Sequence, residues 1–122
     1  MMKRRSLLLV ALALLVVTLP LPAWSLETSA EEILRSPDRF DGQAVTLRGI
    51  VTALRVRVSK IGNDYYTFTL RPGSQGPTVF SFGQPPCQEG APVVVEGVFQ
   101  KVKHQGQYTF RNQVDATSVV CR

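Results

Sequence analysis

The chain has 122 residues, with 14 Lys and Arg against 9 Asp and Glu, and a single histidine. That length holds one small domain with one core, and leaves little room for the elaborate sites of large enzymes. Two cysteines and one histidine fall short of the usual structural zinc ligand set, and no Cys-x-x-Cys redox motif is present.

The N-terminal stretch reads as a targeting segment. Lys3, Arg4 and Arg5 precede an almost unbroken apolar run, Leu7–Leu19, which Pro20 and Pro22 break. Ala23 and Ser25 then place small residues at −3 and −1 of a cut. This three-part plan predicts a secretory signal peptide over residues 1–25, and a mature domain over 26–122 in the periplasm or outside the cell. The apolar run is shorter than the roughly 20 residues that span a bilayer, so no stable membrane insertion is expected after processing. The alternative is an uncleaved anchor helix. Losing three of the 14 basic residues also lowers the net charge to about +2, so the basic pI is no argument for nucleic-acid binding.

Ser29-Ala30-Glu31-Glu32 has the form of a capping box, with Ser29 capping Glu32 and Glu32 reaching back to Ser29. It predicts a short helix that Ser36-Pro37 stops, followed by a turn at Arg39–Gly42. The first strand runs from Ala44 to Val58. Val45, Leu47, Val51 and Ala53 share one parity, whereas Leu54, Val56 and Val58 take the other. That switch predicts a bulge near Ala53-Leu54, and Gly49 permits a bend. Asp41–Val51 and Glu89–Phe99 repeat one pattern, an acid and a Gly followed by matched aliphatic and Gly positions. They are expected to pair as the long strands of a small barrel.

A polar loop, Ser59–Asp64, leads to a second strand, Tyr65–Arg71, with Tyr66, Phe68 and Leu70 on one face. Pro72–Gly76 is a turn, and Thr78–Phe82 is a third strand. Gly83–Gly90 is irregular and holds Cys87. Pro92–Lys103 is the fourth strand, His104-Gln105-Gly106 a hairpin turn, and Gln107–Val120 the fifth strand. In an exported chain the even pair Cys87 and Cys121 reads first as a disulfide, with free thiols the alternative.

The expected architecture is therefore an all-β, five-stranded Greek-key barrel of the OB-fold type with a short N-terminal helix. The runs Ser36–Val51, Tyr65–Leu70 and Glu89–Phe99 resemble exported bacterial OB-fold domains, which are grouped with the nucleic-acid-binding, tRNA-anticodon-like OB families. The resemblance covers nearly all of the chain after residue 25. It implies a ligand face on the second and third strands, flanked by the two long hairpins. On this chain the face maps to Arg55, Arg57, Lys60, Tyr65, Thr67 and Arg71, with Lys101, Lys103, His104, Tyr108 and Arg111 from the other hairpin. Cations interleaved with aromatic rings suit a single strand, because charge follows phosphates and rings stack on bases. The expected partners are an oligonucleotide or a glycan bound by a monomer; the alternative is a periplasmic protein-interaction or envelope-stress module that meets another protein through a barrel edge or hairpin. A weaker similarity links His104-x-x-x-Tyr108 to the haem chaperone of cytochrome c maturation. There, however, the motif follows the last strand of the barrel, so no cofactor is expected here.

No enzyme is expected. Asp38, Asp41, Asp64, Glu89, Glu96 and Asp115 fall at turns and strand edges, where capping and solvation account for them. No Gly-x-Ser-x-Gly is present, and no histidine is spaced to serve a nucleophile.

Overall fold

The structure, a computed structural model, describes residues 24–72 and 76–122. The expected signal peptide, apart from its last two residues, lies outside the described residues, and so does the middle of the expected Pro72–Gly76 turn. The elements are β1 (Leu26–Thr28), α1 (Ala30–Arg35), α2 (Pro37–Phe40), β2 (Ala44–Val58), β3 (Asp64–Arg71), β4 (Thr78–Phe82), β5 (Pro92–Gln105) and β6 (Tyr108–Cys121). The strands form one six-stranded sheet in the order β1-β2-β3-β4-β6-β5, and an added β2–β5 pairing closes β2 to β6 into a ring.

β2 makes that closure possible because its 15 residues serve two neighbours in turn. Ala44–Ile50 pairs antiparallel with β5, from Ala44↔Val98 to Ile50↔Pro92, and Ile50–Val58 pairs antiparallel with β3. The change of partner needs a close approach. At Gly49 an added Cβ would stand against the carbonyl oxygen of Arg71, and at Gly97 one would stand against the carbonyl oxygen of Asp115.

The repeated pattern in the sequence is a local two-fold in the structure. Gly42 N donates to Phe99 O at 2.8 Å and Phe99 N to Gln43 O at 3.0 Å. The equivalent residues do the same in the other copy: Gly90 N donates to Val51 O at 2.7 Å and Val51 N to Ala91 O at 3.0 Å. The acid that opens each repeat caps the far end of the other strand. Asp41 Oδ1 accepts from Lys101 N at 2.9 Å. The Glu89 carboxylate accepts from Ala53 N at 3.0 Å and Leu54 N at 2.8 Å.

Glu89 therefore holds the bulge that the parity switch anticipates. The β2–β3 register shifts between Thr52↔Thr69 and Arg55↔Thr67, and Ala53 takes a left-handed φ of 51°. Before the bulge the odd positions face the core. Without it, Arg55 and Arg57 would be aimed there too, at a large desolvation cost. With it, Leu54 packs on the core and the two guanidinium groups turn outward. The expected continuation of the apolar face fails further on, since Val56 and Val58 are exposed because β2 has run past the end of the core.

Inside the ring, Val45, Leu47 and Val51 of β2 meet Phe68 and Leu70 of β3, Val79 of β4, Val95 and Phe99 of β5 and Val114 of β6. Tyr66, Phe68 and Leu70 are all buried, as their alternation requires. Ile33 and Phe40 pack from the two helices onto this cluster. Cys87 and Cys121 are disulfide-bonded with their Cα atoms 5.5 Å apart, tying the irregular segment after β4 to the end of β6.

Three local expectations are corrected, and one element is added. Ser29 Oγ does accept from Glu32 N at 3.1 Å, but Glu32 does not reach back to Ser29; its carboxylate takes Thr28 Oγ1 at 3.0 Å and Arg39 Nη1 at 3.4 Å. Pro37 does not simply stop α1. It opens α2 from the first helical position, where its missing N–H costs nothing. His104 and Gln105 belong to β5, paired with Thr109 and Tyr108, so the hairpin turn lies at Gly106-Gln107. A short parallel strand, β1, pairs Leu26–Thr28 with Val45–Leu47 and was not anticipated.

Candidate functional site

Along β3 and β4 the inward residues Tyr66, Phe68 and Val79 leave Tyr65, Thr67, Thr78, Phe80 and Phe82 pointing out. These outward side chains floor an open groove of ≈ 1100 Å³. One wall comes from the β2–β3 hairpin, with Arg55, Arg57, Val58, Ser59 and Lys60. The facing wall comes from the β5–β6 hairpin, with Gln105, Gly106, Gln107, Tyr108 and Phe110. Small-molecule pockets usually run to about 300–1,000 Å³ and are enclosed. This open trough suits a longer ligand laid along it.

The floor is aromatic and continuous. Tyr65 and Phe80 lie 5.4 Å apart between ring centroids, and Phe80 and Phe82 5.1 Å apart in an edge-on pair. Tyr108 and Phe110 sit side by side at 6.4 Å on the facing wall. Phe82 is 69% exposed and Tyr108 55%, so large ring surfaces remain unburied. Such exposure has a solvation cost in an isolated domain, which makes this a candidate ligand surface.

Charge is unevenly placed. Arg55, Arg57 and Lys60 all stand on the β2 wall, and none takes part in an ion pair among the described residues. The facing wall is neutral, carrying amides and rings. Lys103 does not line the groove but stands at the edge of its floor, with Nζ 3.1 Å from Asp115 Oδ1 and 5.3 Å from the outward-facing Phe80 ring centroid. The Asp115 carboxylate also accepts from Gln100 Nε2 at 2.8 Å and Gln113 Nε2 at 2.7 Å. That network holds the β6 side of the floor in place and neutralises Lys103.

Of the residues the sequence pointed to, Arg55, Arg57, Lys60, Tyr65, Thr67 and Tyr108 line the groove together. The others lie elsewhere. Arg71 sits at the far end of β3, opposite Ile50. Lys101 Nζ bonds Asp38 Oδ1 at 2.6 Å, on the helical side of the molecule. His104 is exposed, with Nδ1 3.2 Å from Thr109 Oγ1, and neither it nor Arg111 lines the groove. The sequence reading did not single out Phe80, Phe82, Phe110, Gln105, Gln107 or Gln113. For the first two the signal existed, since an inward Val79 in Thr78–Phe82 obliges its neighbours to face out.

No group of three or more His, Cys, Asp or Glu able to hold a metal occurs among the described residues. Among the same residues, no helix is long and apolar enough to cross a membrane. No protein-family model matches the chain, and no curated protein matches it.

Proposed function

We propose that the five-strand ring is a Greek-key barrel of the OB type and that the protein is an exported binding module, not an enzyme. The strand order around the ring, with β4 and β6 meeting in parallel, supports the first part. The apolar run before residue 20 and the Cys87–Cys121 disulfide support export. The groove binds a linear anionic ligand that carries planar rings, and single-stranded nucleic acid is the chemistry that fits it best. The observation that carries this reading is the division of the groove into one wall of unpaired cations and a floor of exposed rings. A single strand has the same division, with phosphates along one edge and bases along the other. An anionic glycan would use the cations but would stack less fully on Phe80 and Phe82.

The test is a double charge reversal, Arg55→Glu with Arg57→Glu, titrated with a labelled single-stranded oligonucleotide. Both side chains point outward, so the fold should survive. Affinity should fall, and the salt dependence should flatten by about 0.7 in log–log slope for each phosphate contact removed. Affinity and slope equal to those of the wild type would overturn the assignment.

A further inference from the structure

The tip of the β2–β3 hairpin carries exposed apolar side chains outside the core, and of these only Val58 edges the groove wall while Val56 and Ile61 do not line it. Val56 is 52% exposed, Val58 65% and Ile61 83%. Val56 lies on the strand face opposite Arg55 and Arg57, Val58 ends β2 at the rim of the groove wall, and Ile61 belongs to the loop that follows. The loop is a fixed turn. Ser59 N donates to Asn63 O at 2.8 Å, Gly62 N to Ser59 O at 2.9 Å, and Asn63 N to Ser59 Oγ at 3.1 Å. A rigid apex thus presents a bare aliphatic side chain beside Lys60. The Asp64 carboxylate at the start of β3 accepts a hydrogen bond from Gln84 Nε2 at 2.8 Å.

We propose that this tip docks the protein peripherally on an anionic lipid surface, with Ile61, Val58 and Val56 entering the headgroup–acyl boundary and Arg57 and Lys60 meeting lipid phosphates. The arrangement fits a bilayer because exposed aliphatic side chains and cations outside any ion pair among the described residues share one hairpin tip. A membrane surface offers both acyl chains and phosphates. A second copy of the chain fits worse. A symmetric contact through this tip would set Arg57 and Lys60 against themselves, and like charges facing one another are costly. Peripheral docking of a loop is also distinct from a membrane span, which the described helices are too short to provide.

The experiment uses the chain from Leu26 onward, which keeps every helix, strand and core side chain described above and omits the apolar run Leu7–Leu19. It is sedimented with vesicles of phosphatidylglycerol and phosphatidylcholine in equal parts, and with vesicles of phosphatidylcholine alone. The wild type should sediment with the anionic vesicles and remain free with the neutral ones. Ile61→Asp should lower the partition about tenfold or more, while oligonucleotide binding in the groove stays unchanged, since Ile61 does not line it. A second variant reports insertion directly. Trp24 is the chain's one tryptophan and precedes Leu26, so Ile61→Trp gives a single fluorophore whose emission should shift to the blue on anionic vesicles. Equal sedimentation of wild type and Ile61→Asp, or no blue shift, overturns the proposal. So does a concentration-dependent dimer that Ile61→Asp abolishes in the absence of any vesicle binding. Because the groove is assayed separately with oligonucleotide, failure of one reading leaves the other standing.

Discussion

Gly49→Ala should be among the most damaging single-methyl changes available to this protein. A Cβ there meets the Arg71 carbonyl oxygen and lies 2.9 Å from both Cδ1 and Cγ of Leu70. Leu70 is fully buried and cannot move aside without opening the core. The Arg71 carbonyl belongs to backbone paired with Ile50, so it yields only if the β2–β3 ladder opens at its end. Overpacking usually costs about 1–3 kcal/mol. With backbone as the obstacle, the upper end applies, about 3 kcal/mol. For a domain of this size each kcal/mol moves Tm by about 4–8 °C, so a fall of about 12–24 °C is expected. The assay is urea unfolding with the disulfide intact, run beside Arg48→Ala, an exposed neighbour whose loss should cost no more than about 0.5 kcal/mol. Gly97→Ala should behave like Gly49→Ala, because its Cβ would meet the Asp115 carbonyl oxygen and lie 2.7 Å from Ala116 Cα. If Gly49→Ala unfolds at the same urea concentration as Arg48→Ala, the argument that the ring closes through these two approaches is wrong.

Other expectations follow from individual contacts. Removing the disulfide by Cys87→Ser with Cys121→Ser frees a loop of 34 positions and should cost about 3–4 kcal/mol in urea unfolding; a change under about 1 kcal/mol would mean the folded β6 end holds without it. Glu89→Ala leaves the Ala53 and Leu54 amides to solvent and should cost about 1–2 kcal/mol. It should also weaken oligonucleotide binding, since the bulge orients Arg55 and Arg57; unchanged stability together with unchanged binding would refute that role. Asp115→Asn uncouples Lys103 from its carboxylate beside the Phe80 ring of the floor. Oligonucleotide affinity should then rise and the salt slope steepen by about 0.7, whereas an unaltered slope would show that Lys103 does not reach the ligand.

The long strands were legible because burial is periodic. Tyr66, Phe68 and Leu70 announce a face, and the parity switch at Ala53-Leu54 announces a bulge even before its cap is known. The repeat from Asp41 to Val51 and from Glu89 to Phe99 announced a pairing, because two like strands that need the same glycine serve each other. What escaped were features defined by distant partners. β1 is three residues long and gains its conformation from Val45–Leu47, so Leu26–Thr28 carries no period of its own. Lys101 and Lys103 look like free cations in the sequence; the ring brings Asp38 to one and Asp115 to the other. His104 looked like a turn residue beside a glycine, yet the β5–β6 ladder extends through Gln105↔Tyr108. The groove's aromatic lining was half legible. Tyr65 and Tyr108 stood out, whereas Phe80 and Phe82 passed as ordinary strand filling until the ring placed them next to Tyr65.

The most direct test of the account is a titration of the wild-type domain with a labelled single-stranded oligonucleotide at 50 and 200 mM salt, the span over which phosphate contacts weaken measurably. Three unpaired groove cations, each worth about 0.7 in slope on a single strand, predict a slope near −2 and a loss of affinity of about 15–20-fold across that range. No binding at the lower salt, where the electrostatic attraction is strongest, would contradict the assignment of the groove to a nucleic-acid strand.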